Sequence, residues 1–278
     1  MIKILEKHPL GPGMNFALLD APLIAESAEP GQFVIVTLDE KSERIPLTIA
    51  DFDRDKKTIS IVFQEMGKGT HRLAQLEAGN SVFGVLGPQG NPSEIPDNKN
   101  VVIIGGGIGI APVFPIARKL KEHSNNVTSI IGYRNKDYVF WEEKMKSVSD
   151  RLLIATNDGS YGEKGFVTDI LQKLIDDNEK IDEVVAIGPP IMMKAVADLT
   201  RPYKINTIVS LNSLMVCGMG MCGACRVTVG GETRFTCMDG PEFNAHDVDF
   251  EELMKRLATY KKDETTCFEE WQEGQDGC

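Results

Sequence analysis

No stretch of the chain stays apolar for long. Runs such as Val101-Val102-Ile103-Ile104 fall far short of the roughly 20 residues that a membrane-spanning helix needs. The first residues, Met1-Ile2-Lys3-Ile4-Leu5-Glu6-Lys7, lack the apolar run and cleavage site of a secretory signal, so a cytoplasmic protein with reduced thiols is expected. Basic residues are also in short supply. The 30 Lys and Arg against 41 Asp and Glu leave a formal charge of -11, which argues against a nucleic-acid binder. Histidine is scarce, and His8, His71, His123 and His246 are scattered as structural or exposed residues would be. Internal repeats and low-complexity segments are absent. What remains is an ordinary globular composition, 42% hydrophobic and 26% charged, in 278 residues that suit two domains and a small appended module.

Cysteine is where the sequence becomes specific. Cys217, Cys222 and Cys225 run CxxxxCxxC, and Cys237 follows after an eleven-residue gap, the arrangement with which plant-type ferredoxins hold a [2Fe-2S] cluster. Gly218, Gly220 and Gly223 let such a loop curl so that amide N–H groups point at the sulfurs. A hairpin, Arg226 to Val229 and Thr233 to Thr236 about Gly230-Gly231, returns Cys237 to the loop. Structural zinc also takes four cysteines, but zinc ribbons pair two CxxC knuckles and only Cys222 and Cys225 form one here. Disulfides are disfavoured in the expected compartment. Cys267 and Cys278, in a polar tail, read as ordinary cytosolic cysteines.

Residues 1–97 carry short strand patterns, among them Phe33 to Leu38, Thr58 to Phe63 and Ser81 to Leu86, broken by Gly and Pro turns. Such a run predicts a small antiparallel β-barrel. Over 98–210 strands at Asn100 to Ile104, Asn126 to Ile131, Arg151 to Thr156, Glu183 to Ile187 and Asn206 to Ser210 alternate with helices at Pro112 to His123, 137–148, 166–178 and 190–201. That alternation predicts a parallel, doubly wound α/β sheet. The cysteine module takes 211–246, and 247–278 holds an amphipathic helix, Phe250 to Tyr260, followed by a charged tail. The apolar side of that helix suits the chain's own core or a partner.

Three turns at the carboxyl ends of expected parallel strands are candidates for nucleotide contacts, because open α/β sheets bind ligands there. Gly105-Gly106-Gly107-Ile108-Gly109-Ile110-Ala111-Pro112 follows a strand and opens a helix, where amides and the helix dipole favour a pyrophosphate. Read as GxGxxG it has Ile110 at the third glycine position, an imperfect fingerprint. Thr156-Asn157-Asp158-Gly159-Ser160-Tyr161-Gly162 and Gly188-Pro189-Pro190-Ile191-Met192-Met193 are the others, and each by itself is an ordinary loop. In the barrel region, Arg44-Ile45-Pro46-Leu47-Thr48 joins a phosphate-pairing side chain to a stiffener and a hydroxyl. Gly67-Lys68-Gly69-Thr70 precedes a helical stretch, His71 to Leu76, whose amides suit a second phosphate.

Taken in order, the barrel, Arg44-x-Pro46-Leu47-Thr48, Gly67-x-Gly69-Thr70, the Gly105 to Pro112 turn and the four cysteines resemble the ferredoxin-NADP reductase superfamily over nearly the whole chain. More narrowly, Arg44 to Asp51, Thr156 to Gly162, Gly188 to Val196, Met221 to Gly231 and Asp239 to Phe243 are similar to the small subunit of NADH-dependent ferredoxin:NADP oxidoreductase, the electron-bifurcating transhydrogenase. The electron-transfer subunits of dihydroorotate dehydrogenase are similar as well. One position departs: transhydrogenase small subunits often carry Asp where this chain has Cys217, and the all-cysteine site resembles the dihydroorotate dehydrogenase subunits.

The resemblance implies FAD in the barrel, with Arg44 at the pyrophosphate, Pro46, Leu47 and Thr48 along the flavin, and Gly67, Gly69 and Thr70 at the phosphates. It implies NAD(H) as substrate in the second domain, with Gly106, Gly107 and Gly109 at its pyrophosphate and Asp158 and Gly188 on the ribose and nicotinamide side. Cys217, Cys222, Cys225 and Cys237 would hold the [2Fe-2S] cluster. No catalytic side chain is nominated, since hydride transfer to a flavin needs no protein acid or base. The implied partner is a larger flavoprotein with [4Fe-4S] clusters that handles NADP(H) and ferredoxin, in a heterodimer without nucleic acid or a membrane span. Dihydroorotate dehydrogenase and sulfide dehydrogenase are the alternative complexes, and a zinc-stabilised nucleotide-binding regulator is the alternative of a different class. Gly132-Tyr133-Arg134-Asn135-Lys136-Asp137 offers both bases for a 2'-phosphate and an acid for a hydroxyl, so the residues leave NAD against NADP open; the resemblance favours NAD.

Overall fold

The structure, a computed structural model, describes residues 1–274. Cys278 and the end of the charged tail lie outside the described residues. The first part contains β1 (Ile2–Gly11), β2 (Met14–Asp20), α1 (Pro22–Ser27), β3 (Phe33–Thr37), β4 (Ile45–Asp53), β5 (Thr58–Gln64), α2 (Lys68–Gln75), β6 (Ser81–Val82) and β7 (Gly84–Gln89). Its strands form one antiparallel sheet in the order β6-β1-β2-β5-β4-β3-β7, curled as a nearly closed barrel. β5 is rich in β-branched residues and buried along most of its length, as the wall of a small barrel requires. The single strand expected over Ser81 to Leu86 is two, because Phe83 interrupts it and β6 and β7 pair at opposite edges of the sheet.

The second part contains β8 (Asn100–Gly106), α3 (Ile110–Glu122), β9 (Asn126–Tyr133), α4 (Glu142–Lys146), β10 (Arg151–Thr156), β11 (Glu163–Lys164), α5 (Val167–Asp176), β12 (Glu183–Ile187), α6 (Pro190–Thr200) and β13 (Asn206–Ser210). Strand order β11-β10-β9-β8-β12-β13 is parallel and reverses direction of growth between β8 and β12. Such a switch point opens a crevice at the carboxyl ends of the two strands. β8 is apolar on both faces because helices cover both. The helix expected over 137–148 is only a turn at Lys136–Tyr138 and the short α4, since Trp141 between them is left-handed at φ 56°. Trp141 there packs on Phe16, Phe114 and Phe140, and Lys144 lies 4.0 Å over its ring.

The last part contains β14 (Arg226–Val229), β15 (Glu232–Phe235), β16 (Glu242–Asn244), α7 (Phe250–Leu257) and α8 (Lys261–Gln272). β14 and β15 form the expected hairpin. β16 leaves the cysteine module and adds to the parallel sheet as an antiparallel edge beside β13. α7 starts at Asp249, whose carboxylate accepts from the Glu252 amide, and buries Phe250 and Leu253 in the chain's own core. The charged tail carries a second helix, α8, whose Phe268 ring lies 4.4 Å from His71 on α2. No helix among the described residues is long and apolar enough to cross a membrane.

The barrel and the α/β part share one apolar core: Met14, Phe16, Ala50 and Val62 pack in the same cluster as Ile110, Phe114, Val127 and Phe140. Beside it Asp51 on β4 accepts from Arg118 on α3 at 2.6 Å and from Lys144 on α4 at 3.0 Å, tying the two parts electrostatically. Glu242 on β16 makes a third tie, accepting from Ser93 Oγ at 2.6 Å. Burial pushes the Glu242 carboxyl up to about 7. The folded chain therefore keeps a proton that the unfolded chain releases near pH 4.3, so stability falls as pH rises from about 4.3 to about 7. Glu242→Gln is expected to remove this part of the dependence, seen as a urea midpoint that gains on the natural chain at pH 8 relative to pH 5.

Candidate electron-transfer site

A cleft of about 180 Å³ lies where the barrel, the switch point and the approach to the cysteine loop meet. Phe33, Pro46, Leu47, Thr48 and Val62 form the barrel side; Ile108, Gly109, Ala111, Pro112, Ile187 and Gly188 form the switch-point side. Ser210, Leu211, Asn212, Met215 and Pro241 close it from the third direction. Glycine is required at Gly109, where a Cβ would stand 2.2 Å from the Ile187 carbonyl oxygen. Gly107 is left-handed at φ 56°, turning the chain from β8 into α3. Gly106 ends β8 and lies under Met192.

The other expected nucleotide residues are placed less centrally. Asp158, after β10, accepts from the Ser160 amide and hydroxyl, which hold its carboxyl below the usual range, and it does not line the cleft. α2 begins three residues earlier than the expected His71, so Gly69 and Thr70 form its first turn and Gly67 precedes it. Thr70 Oγ accepts from the Met66 and Gly67 amides, which is what starts the helix there. Arg44 turns its Nη2 to the Cys217 carbonyl at 3.1 Å.

The cysteines gather as two pairs. Cys225 and Cys237 are buried with their sulfurs 3.2 Å apart, against Phe33 and Ile35 of the barrel and Met215 and Phe235 of the module. Cys217 and the exposed Cys222 form the outer pair. Amides aim at the sulfurs as the glycines foretold: Gly220 N–H lies 3.2 Å from Cys237 Sγ, Met219 and Cys222 N–H lie 3.5 and 3.4 Å from Cys217 Sγ, and Ala224 N–H lies 3.4 Å from Cys222 Sγ. Donation by the Met219 amide draws the Cys217 thiol down to about 6, while burial pushes Cys237 up to about 12. Among the described residues no three Cys, His, Asp or Glu side chains are placed to hold one metal ion. Paired thiols with amide donors fit a two-iron cluster better than one tetrahedral zinc. From α7, Arg256 Nη2 donates to the Ala224 carbonyl at 3.0 Å and braces the loop between Cys222 and Cys225.

Phe33, Ser210, Asn212, Met215 and Arg256 carried no motif that would mark them in the sequence. They reach the site through packing of elements distant in the chain; only the position of Asn212 and Met215 between the last parallel strand and Cys217 was a usable signal.

The fold and the site together define an electron-transfer subunit of ferredoxin-NADP reductase architecture, with a nucleotide-binding sheet and an iron–sulfur module. Residues 103–198 match the oxidoreductase NAD-binding domain, and residues 212–249 match the iron–sulfur cluster binding domain of dihydroorotate dehydrogenase B. The chain is 47% identical to a Thermotoga maritima protein named as a homologue of the dihydroorotate dehydrogenase B (NAD(+)) electron transfer subunit, over 90% of this chain and 88% of that one. It is 36% identical to the Shouchella clausii dihydroorotate dehydrogenase B electron transfer subunit, over 83% and 90%. A solved structure of NADH-dependent reduced ferredoxin-NADP oxidoreductase, described for its flavin-based electron bifurcation, superposes with a TM-score of 0.92 at 44% identity, over 98% of both chains. The chain belongs to the family of dihydroorotate dehydrogenase B electron-transfer subunits and their homologues, which are oxidoreductase subunits.

Proposed function

We propose that the chain is the FAD- and [2Fe-2S]-containing electron-transfer subunit of an NADH-dependent ferredoxin:NADP oxidoreductase. The observation that carries this reading is the cleft itself, because one cavity touches the barrel, the switch point and the segment leading into Cys217. Flavin bound there supplies the conversion between paired electrons from a hydride and single electrons for a cluster. Pro46, Leu47 and Thr48 form a flat, mostly apolar wall for a ring system, and the buried Arg44 Nε, which lacks a partner among the described residues, is a donor suited to a phosphate. Gly67, Gly69 and Thr70 offer first-turn amides of α2 for a second phosphate. Gly106, Gly107 and Gly109 let a nicotinamide dinucleotide approach the α3 end of the switch point, with Gly188 opposite and Asp158 at the rim. Cys217, Cys222, Cys225 and Cys237 hold the cluster. Burial of Cys225 and Cys237 against Phe33 keeps water from the side nearest the cleft, while Cys222 is exposed toward a larger partner subunit. That partner, with [4Fe-4S] clusters, NADP(H) and ferredoxin, and a division of the chain at 1–97, 98–210, 211–246 and 247–278, complete the reading.

The all-cysteine ligand set favours membership of a dihydroorotate dehydrogenase complex as the second reading, and the identity of the co-purifying larger subunit separates the two. The deciding experiment is an anaerobic titration of the purified protein with NADH and NADPH in turn. A yellow-brown protein whose flavin bleaches with NADH is expected; a colourless protein with zinc and no iron refutes the proposal. Cys217→Asp tests the ligand that differs from the transhydrogenase pattern. An oxygen donor there is expected to keep the cluster and shift its potential, measured by redox titration, since ligand identity tunes such centres; complete loss of iron would contradict it.

A further inference from the structure

Arg44 stands where the barrel, the cleft and the cysteine loop meet, and its hydrogen bonding is incomplete. It immediately precedes β4, whose Pro46, Leu47 and Thr48 wall the cleft. One donor of its guanidinium is committed, for Nη2 donates to the Cys217 carbonyl at 3.1 Å across 173 positions of sequence. Its Nε is buried without a partner among the described residues. A buried donor left unpaired is costly, and a guanidinium is a rigid fork suited to a phosphate. The same strands seat the loop from below: a Cβ on Gly218 would lie 2.6 Å from Ile35 on β3, and Ile35 pairs directly with Pro46. Displacement of β4 or of Arg44 is therefore felt at Cys217.

We propose that Arg44 is a positioning residue for the iron–sulfur centre as well as a ligand of the cleft. The Nη2 group carries the Cys217 carbonyl, and the free Nε–H takes a phosphate of the bound dinucleotide cofactor. This rests on the function proposed above and adds to it a coupling: occupation of the cleft and geometry at Cys217 bias each other, reciprocally, as two sites sharing one element must.

The test uses the complete protein as isolated with its cofactors, before and after removal of flavin by dialysis against a chaotropic salt. Two quantities are read in each form, the rate of iron release to a chelator and the low-temperature EPR spectrum of the dithionite-reduced cluster. In the natural chain, flavin removal is expected to raise iron release at least about fivefold, the lower end of ordinary coupling between sites, and to alter the spectrum. In Arg44→Ala the forms with and without flavin should release iron at one rate and give one spectrum. Arg44→Lys keeps the charge without the fork and is expected to show a reduced difference; it carries the test if the alanine variant does not fold. Equal release rates with and without flavin in the natural chain overturn the proposal, as does an Arg44→Ala protein that keeps the full difference. A natural chain that holds neither flavin nor iron overturns the proposed function as well, whereas a loaded protein without coupling overturns this inference alone.

Discussion

Cys225→Ala is expected to strip the protein of its iron. Cys225 is 2% exposed and its sulfur lies 3.2 Å from that of Cys237, which is 1% exposed. Phe33, Ile35, Leu86, Met215 and Phe235 pack around the pair, an apolar setting that offers no replacement ligand of its own. Iron and acid-labile sulfide should fall to background and the visible cluster bands should vanish, while bound flavin stays. The variant's apoprotein loses only about 1 kcal/mol in urea unfolding, as for the deletion of one buried methyl-sized group. The larger loss comes from the cluster, whose binding free energy is available only to the folded chain. Cys222→Ser, at an exposed position where the hydroxyl is open to solvent, should retain a measurable share of iron. A Cys225→Ala protein with full iron content would remove the buried pair from the ligand set.

Gly109→Val is expected to disable reduction by NADH with the cluster in place. A Cβ at this position would stand 2.2 Å from the Ile187 oxygen and 2.9 Å from Gly188 Cα, both backbone atoms that cannot rotate away. α3 and the end of β12 must separate, at a cost of about 1–3 kcal/mol for overpacking. That separation deforms the switch-point wall of the cleft, on which the proposed function places the nicotinamide, relative to the barrel wall, on which it places the flavin. Misplacement by about 1 Å costs on the order of 100-fold in rate. Rapid-mixing measurements of flavin bleaching by NADH should show a fall of that size, whereas dithionite should still reduce flavin and cluster. Bleaching at the natural rate would mean that the nucleotide does not approach along Gly109.

The parts legible in the sequence are those whose physics is local. Four thiols spaced around Gly218, Gly220 and Gly223 write their own loop, since all three glycines adopt positive φ, at 70°, 81° and 68°. The buried strand at Val101 to Ile104 and its glycine turn likewise mark a switch-point crevice without help from the rest of the chain. Properties set by distant partners were hidden. Arg44 reads as a phosphate ligand, and nothing nearby in sequence foretells the Cys217 carbonyl on its Nη2. α8 reads as a tail because its apolar residues, Cys267, Phe268 and Trp271, make too narrow a stripe; its contact with the His71 ring on α2 comes from a segment far away in sequence. β16 reads as part of the cysteine module, although its backbone completes another sheet. Asp158 has the composition of a ligand loop, and that its Oδ1 also caps the turn through the Ser160 amide and hydroxyl is not readable from composition.

The common core that joins Met14, Phe16, Ala50 and Val62 to Phe114 and Phe140 has a consequence for engineering. A cut in the segment between Gln89 and Asn100 would here bare an apolar seam on both fragments and divide Asp51 from Arg118 and Lys144. Neither half is expected to survive in solution apart, and a nucleotide domain borrowed from a relative would have to bring its own matching seam. A change of coenzyme preference is better sought by single substitutions around Arg134 and Lys136 than by exchange of the domain.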